Sequence, residues 1–191
     1  MNERKRAMFC RGVDLLRAFC DINRMPLPAI QIVEPAQWMF GKVCAYYRPT
    51  YISMCVERTA HVGLCGQQWS YPGYVIDRTP YGVLAHELGH HADVTRSTAR
   101  GAYFGDYSAK MRHATGEKSL TGYCPNDAEW FAEMFRLFAT NPDLLRNLRP
   151  RAWEALRADF EPAITTHWRA VLDGAPARTV DMAAQKIVAA A

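Results

Sequence analysis

Apolar residues recur at helical spacing near the start of the chain. Phe9, Val13, Leu16 and Cys20 fall on one face of a helix over residues 3–22, with Asn2 available as its cap. The run MPLPAI then ends the helix, since proline cannot continue it. AIQIV (29–33) reads as a short strand. WMFGKVCAYYR and YISMCVE, rich in β-branched and aromatic residues and separated by Pro49, read as further strands. CGQQWSYPGYVIDRTP is turn-rich connecting sequence.

The period changes at Thr79-Pro80. Threonine caps and proline suits the first helical position, so a helix is predicted from Tyr81 to Thr95. Gly101, Gly105, Gly116, Gly122 and Pro125 punctuate residues 96–125, which therefore read as irregular. Asn126 caps a second strong helix, DAEWFAEMFRLFAT, with acids in its first turn and Arg136 late, as the helix dipole favours. Asn141-Pro142 stops it and starts a short helix. Further helices are expected near 150–160, 161–173 and 179–190. Strands and one helix come first, then helices, which is an α+β pattern. The expected organisation is one domain over 1–191, with a strand-bearing lobe over about 1–95 and a helical lobe over about 96–191.

Composition narrows the function classes. A net charge of +4 is spread along the chain, and Arg4-Lys5-Arg6 is its one dense basic cluster, so no nucleic-acid partner is expected. No apolar run approaches the roughly 18 residues of a membrane span. Arg11, Asp14 and Arg17 interrupt any apolar core of a secretory signal, so a cytoplasmic protein is expected. The six cysteines show no CxxC spacing and are expected as reduced thiols packed like small hydrophobes, Cys44, Cys55 and Cys65 near His61 included.

The candidate chemistry lies in VLAHELGHHADV, which holds three of the chain's six histidines. His86-Glu87-Leu88-Gly89-His90 is H-E-x-x-H. Residues four apart on a helix share a face, so both imidazoles can reach one ion. Glu87 sits beside them, placed to act as a base on a water at that ion. The composition gives about 0.01 chance occurrences of this motif, so coincidence is a poor account of it. A metzincin continuation would need Gly at 93 and His at 96; the chain has Asp93 and Arg96, which excludes it. Glu129 and Glu133, four apart in an aromatic helix, supply the missing donor: one as ligand, the other accepting the Nδ1–H of a ligand histidine. His91 points about 100° away from His90 and reads as structural. Asp93 either braces the site or pairs with Arg96.

HELGHHAD followed by SLTGYCPNDAEWFAEMFRLF resembles the protease domain of anthrax lethal factor and its relatives, the Pro-Pro endopeptidases among them. These are gluzincin-type zinc metallopeptidases, and the resemblance covers roughly residues 80–145. It implies a small zincin-like fold, with an N-terminal helix and a short twisted sheet over the H-E-x-x-H helix and a helical C-terminal part. It implies one catalytic Zn²⁺ held by His86, His90 and Glu129, with Glu133 in support and Glu87 as general base. It matches the family's oxyanion-stabilising tyrosine to Tyr123; Tyr103, Tyr107 and His113 lie in the same segment as alternatives. The implied activity is endopeptidase hydrolysis of a peptide or protein substrate bound as an extended strand, with YISMCVE (51–57) as the expected sheet edge. The alternative is a protein that keeps the fold for binding or regulation and cleaves nothing.

Overall fold

The computed structural model describes residues 3–40, 43–59, 70–71, 74–75, 78–99, 101, 105–120, 124 and 126–162. Asn2, His61, Cys65, Tyr103, Tyr123 and the helices expected near 161–173 and 179–190 lie outside the described residues.

The fold is α+β. Helix α1 (Glu3–Ile22) leads into strands β1 (Ala29–Ile32), β2 (Ala45–Arg48) and β3 (Tyr51–Met54). Two short paired strands follow, β4 (Ser70–Tyr71) and β5 (Tyr74–Val75). Helices α2 (Pro80–Ala99), α3 (Asp106–Thr115), α4 (Asp127–Thr140), α5 (Pro142–Leu148) and α6 (Pro150–Asp159) complete the described chain.

The deepest face of α1 is Met8, Leu15, Leu16, Phe19 and Cys20. Phe9 and Val13 only flank it. The buried stripe is therefore rotated by about one residue from the expected one, because Phe19 rather than Phe9 enters the aromatic core. Its ring meets Phe135 at 5.0 Å and Phe160 at 5.8 Å. One apolar cluster runs from Met8 to Phe160.

The sheet order is β1-β3-β2, with β1 parallel and β2 antiparallel to β3. This corrects the expectation that residues 51–57 form an edge. Only Tyr51–Met54 are strand, and that strand is central; a 3-10 turn, Val56–Arg58, follows it. The reason is in its composition. Ile52, Ser53 and Met54 are all buried, and a strand covered on both faces is better flanked than left with open amides. The outer strands among the described residues are β1 and β2. Of the described residues of the WMFGKVCAYYR candidate, the last four, Ala45–Arg48, are strand.

Helix α2 outruns its predicted span at both ends. Thr79 Oγ1 accepts from Gly82 N at 3.2 Å, so Thr79 caps the start as expected. Helix α3 corrects the reading of 96–125 as irregular. Tyr107, Met111 and Thr115 are buried at four-residue spacing. Gly105 (φ 88°) and Gly116 (φ 62°) bracket the helix in the left-handed region. Those glycines mark its ends instead of interrupting it. Asn126 Oδ1 accepts from Glu129 N at 2.9 Å at the start of α4, and Asn141 Oδ1 accepts from Leu144 N at the start of α5. Both are side-chain caps of orphan amides.

Among the described residues, no helix is long and apolar enough to cross a membrane. The described cysteines carry no disulfide.

Candidate metal centre

Two helices build the site. On α2, His86 and His90 stack edge to face with ring centroids 4.9 Å apart. On α4, the Asn126 cap fixes the first turn, which carries Glu129. His86 Nε2 lies 3.0 Å from Glu129 Oε2, and His90 Nε2 lies 3.6 Å from Glu129 Oε1. Donor atoms of these three residues all lie within 4.8 Å of one another, so His86, His90 and Glu129 could hold a metal ion.

The separations are a test of fit. Donors tetrahedrally placed about 2.0–2.1 Å from an ion are about 3.3 Å apart. The two His–Glu separations, each to a different oxygen of the Glu129 carboxylate, are 3.0 Å and 3.6 Å and fall on either side of that value. Two imidazoles and one carboxylate are three protein donors, one fewer than a closed, four-coordinate structural zinc site supplies.

Behind the donors stands a buried acid–base chain. Glu133 Oε1 lies 2.9 Å from His86 Nδ1. Arg136 donates to both oxygens of Glu133, from Nε at 3.1 Å and from a terminal nitrogen at 3.0 Å. A carboxylate only accepts, so His86 donates from Nδ1, and it is Nε2 that faces Glu129 and His90. Burial pushes the His86 imidazole down, but Glu129 and Glu133 outweigh it and raise its pKa to about 10. Burial pushes Glu133 up, while Arg136 and then His86 overcome that and hold it at about 2. Glu129 is likewise opposed by burial but held well below the usual carboxylate range by His86 and His90. His86 thus stands between two carboxylates, with Nδ1 on Glu133 and Nε2 turned to Glu129, the side on which a divalent cation would meet it.

Glu87 is buried beside the two histidines, and its Oε2 has no hydrogen-bond partner among the described residues. Burial raises its pKa, partly offset by His90 and His86. A buried oxygen left unmatched at the wall of a donor cluster points to something that approaches it there.

His86, Glu87, His90, Glu129 and Glu133 are brought together, as expected. Asp93 is not drawn to the histidines. Its Oδ1 accepts from Ser108 N at 3.0 Å and Ser97 Oγ at 3.4 Å, so it ties α2 to the start of α3. Nor does it pair with Arg96, which donates to Asp159 O and lies over the Phe160 ring. His91 is structural: Nε2 donates to Pro26 O at 2.6 Å and Nδ1 accepts from Tyr47 OH at 3.1 Å, which ties α2 to β2. Of the oxyanion alternatives, Tyr107 is buried in the core with its hydroxyl on Asp159, and His113 is exposed on α3. Tyr123 and Tyr103 lie outside the described residues.

Sequence reasoning missed Arg136, taking it for a base that complements a helix end. It lies within α4 and is buried. The signal was available: it is the one basic residue of an aromatic helix, three positions after an acid.

Comparisons with models of known protein families, with curated proteins and with solved structures return no match.

Proposed function

We propose that this chain is a gluzincin-type zinc endopeptidase. The observation that carries the reading is the convergence of His86 Nε2, His90 Nε2 and the Glu129 carboxylate beside a buried glutamate with an unmatched oxygen. The resemblance of HELGHHAD and SLTGYCPNDAEWFAEMFRLF to the lethal factor protease family supports zinc as the ion and a peptide as the substrate.

Zinc bound there would supply Lewis acidity. His86, His90 and Glu129 would hold it. Glu87 takes the proton of the attacking water and returns it to the leaving amine, work that suits a carboxylate with one oxygen unengaged. Glu133 keeps the His86 Nδ1 proton in place, which leaves Nε2 as the donor atom. Among the described residues β2 is an outer strand, and Tyr47 joins it to α2 at His91, next in sequence to His90. An extended peptide pairing with that edge would lie along the helix that carries the histidines.

Zinc content and cleavage of a diverse peptide library, measured on the parent and on Glu87→Ala, test the reading. About one zinc per chain in both, with cleavage by the parent alone, is expected. A parent that takes up no zinc after reconstitution sinks it. Zinc in both with cleavage in neither leaves a metal-binding protein that is not a peptidase of broad range.

A further inference from the structure

We infer that Arg136 is a positioning residue for the metal centre and that it acts through Glu133; the inference rests on the metal-site reading above. Glu133 is almost wholly buried, and the terminal torsion of a glutamate is broad, so the carboxylate plane is not set by its own rotamer. Arg136, three residues on and buried as well, closes a two-pronged fork on it: Nε to Oε1 and a terminal nitrogen to Oε2. That fork fixes the plane, because guanidinium and carboxylate match only when coplanar. Oε1 is shared with His86 Nδ1 at 2.9 Å. The orientation of Arg136 is thus passed through one carboxylate to one imidazole ring, and so to the direction of the His86 Nε2 lone pair. No contact between Arg136 and His86, His90 or Glu129 is needed for this.

The chain of contacts separates the two halves of the arginine's chemistry. A lysine at 136 keeps the positive charge but presents a point donor that cannot hold both oxygens. If charge alone mattered, Arg136→Lys would be neutral. If the fork matters, it loses affinity for the ion while the helix stays formed. Outer residues that orient metal ligands are worth about 10–100-fold in affinity, so a loss of roughly tenfold is expected for Arg136→Lys and more for Arg136→Met.

The experiment is Zn²⁺ affinity, read by competition with a chromophoric chelator, for the parent, Arg136→Lys, Arg136→Met, Glu133→Gln and the Glu133→Gln/Arg136→Met double variant. Far-UV circular dichroism reports the fold, and the visible spectrum of the Co²⁺-loaded protein reports ligand geometry. Expected are a roughly tenfold loss in Arg136→Lys with an altered Co²⁺ spectrum, and a double variant no weaker than its weaker single parent. Should Arg136→Met not fold, Arg136→Lys decides. Parent-like Zn²⁺ affinity in Arg136→Lys, or losses that add in the double variant, overturn the inference. A parent that binds no Zn²⁺ defeats the metal reading itself.

Discussion

Gly89 on α2 packs directly against Ala132 on α4. A Cβ placed on Gly89 would lie 2.7 Å from Ala132 Cα and 3.1 Å from Phe135 Cβ. Gly89 sits between the two histidines, and Ala132 between the two glutamates, so this contact sets how far Glu129 stands from His86. Gly89→Ala gains about 1 kcal/mol of helix propensity. It must also push back a neighbouring backbone, and such overpacking costs typically 1–3 kcal/mol. The second effect wins, because the obstructing atom is backbone and cannot swing away. Lower stability by urea titration and weaker zinc binding are the expected results. A variant as stable as the parent with unchanged zinc affinity would show that the helices have slack.

Zinc should stabilise the folded chain, since the donors converge only when α2 and α4 are packed. Ligand at a thousandfold excess over its dissociation constant adds about 4 kcal/mol. In a protein of this size that is about 8–16 °C in melting temperature. Glu129→Ala should abolish most of the shift, whereas Glu154→Ala, on α6, should keep it. Differential scanning calorimetry with and without Zn²⁺ reads this directly. An equal shift in both variants would mean that zinc binds elsewhere.

Alkaline pH should weaken the fold through Cys20. The thiol is buried on the inner face of α1, and burial, with a lesser push from Asp21, raises its pKa from 9.0 to about 12. Unfolding lets it ionise at its ordinary value. Between pH 9 and 12 the unfolded chain therefore holds fewer protons than the folded one, and stability falls as pH rises; below pH 9 the contribution is fully present. Tyr47, raised by burial from 10.0 to about 12, acts in the same direction. Urea midpoints of the parent and of Cys20→Ala should differ most near neutral pH and draw together towards pH 11. A constant difference would mean that the thiol ionises within the fold. Iodoacetamide on native protein should label the exposed Cys10 and spare Cys20.

Helices α1, α2 and α4 and the histidine pair were legible because each rests on a local rule, whereas the choice of Glu129 over Glu133 as third donor came from the family resemblance. Spacing puts His86 and His90 on one face, Asn126 caps α4, and Thr79-Pro80 opens α2. Sheet order was not legible: residues 51–54 and 45–48 read alike as apolar strands, and only packing decides that β3 takes the centre. Helix α3 was hidden for a different reason. Ten residues between two glycines look like a broken loop until Tyr107 and Met111 are seen to need a core. Arg136 escaped because a lone cation late in a helix has an ordinary electrostatic explanation, and its burial against Glu133 is a tertiary fact.

Asp93 poses the last question about the site, since its place in the motif suggests a partner for a histidine while its contacts point to α3. Its Oδ1 satisfies the buried amide of Ser108. Its Oδ2 is buried with no partner among the described residues. Asp93→Ala strands that amide, at about 1–3 kcal/mol. Asp93→Asn keeps the acceptor and removes a buried charge that nothing offsets fully, because burial already raises the pKa of this carboxyl. The asparagine variant should thus fold within about 1 kcal/mol of the parent or more stably, and the alanine variant should be the weaker of the two. Both should bind zinc as the parent does, once allowance is made for unfolded protein. Chelator competition on Asp93→Asn decides between the roles: parent-like affinity leaves Asp93 as the tie between α2 and α3, and a tenfold loss would return it to the metal centre as a support for His90.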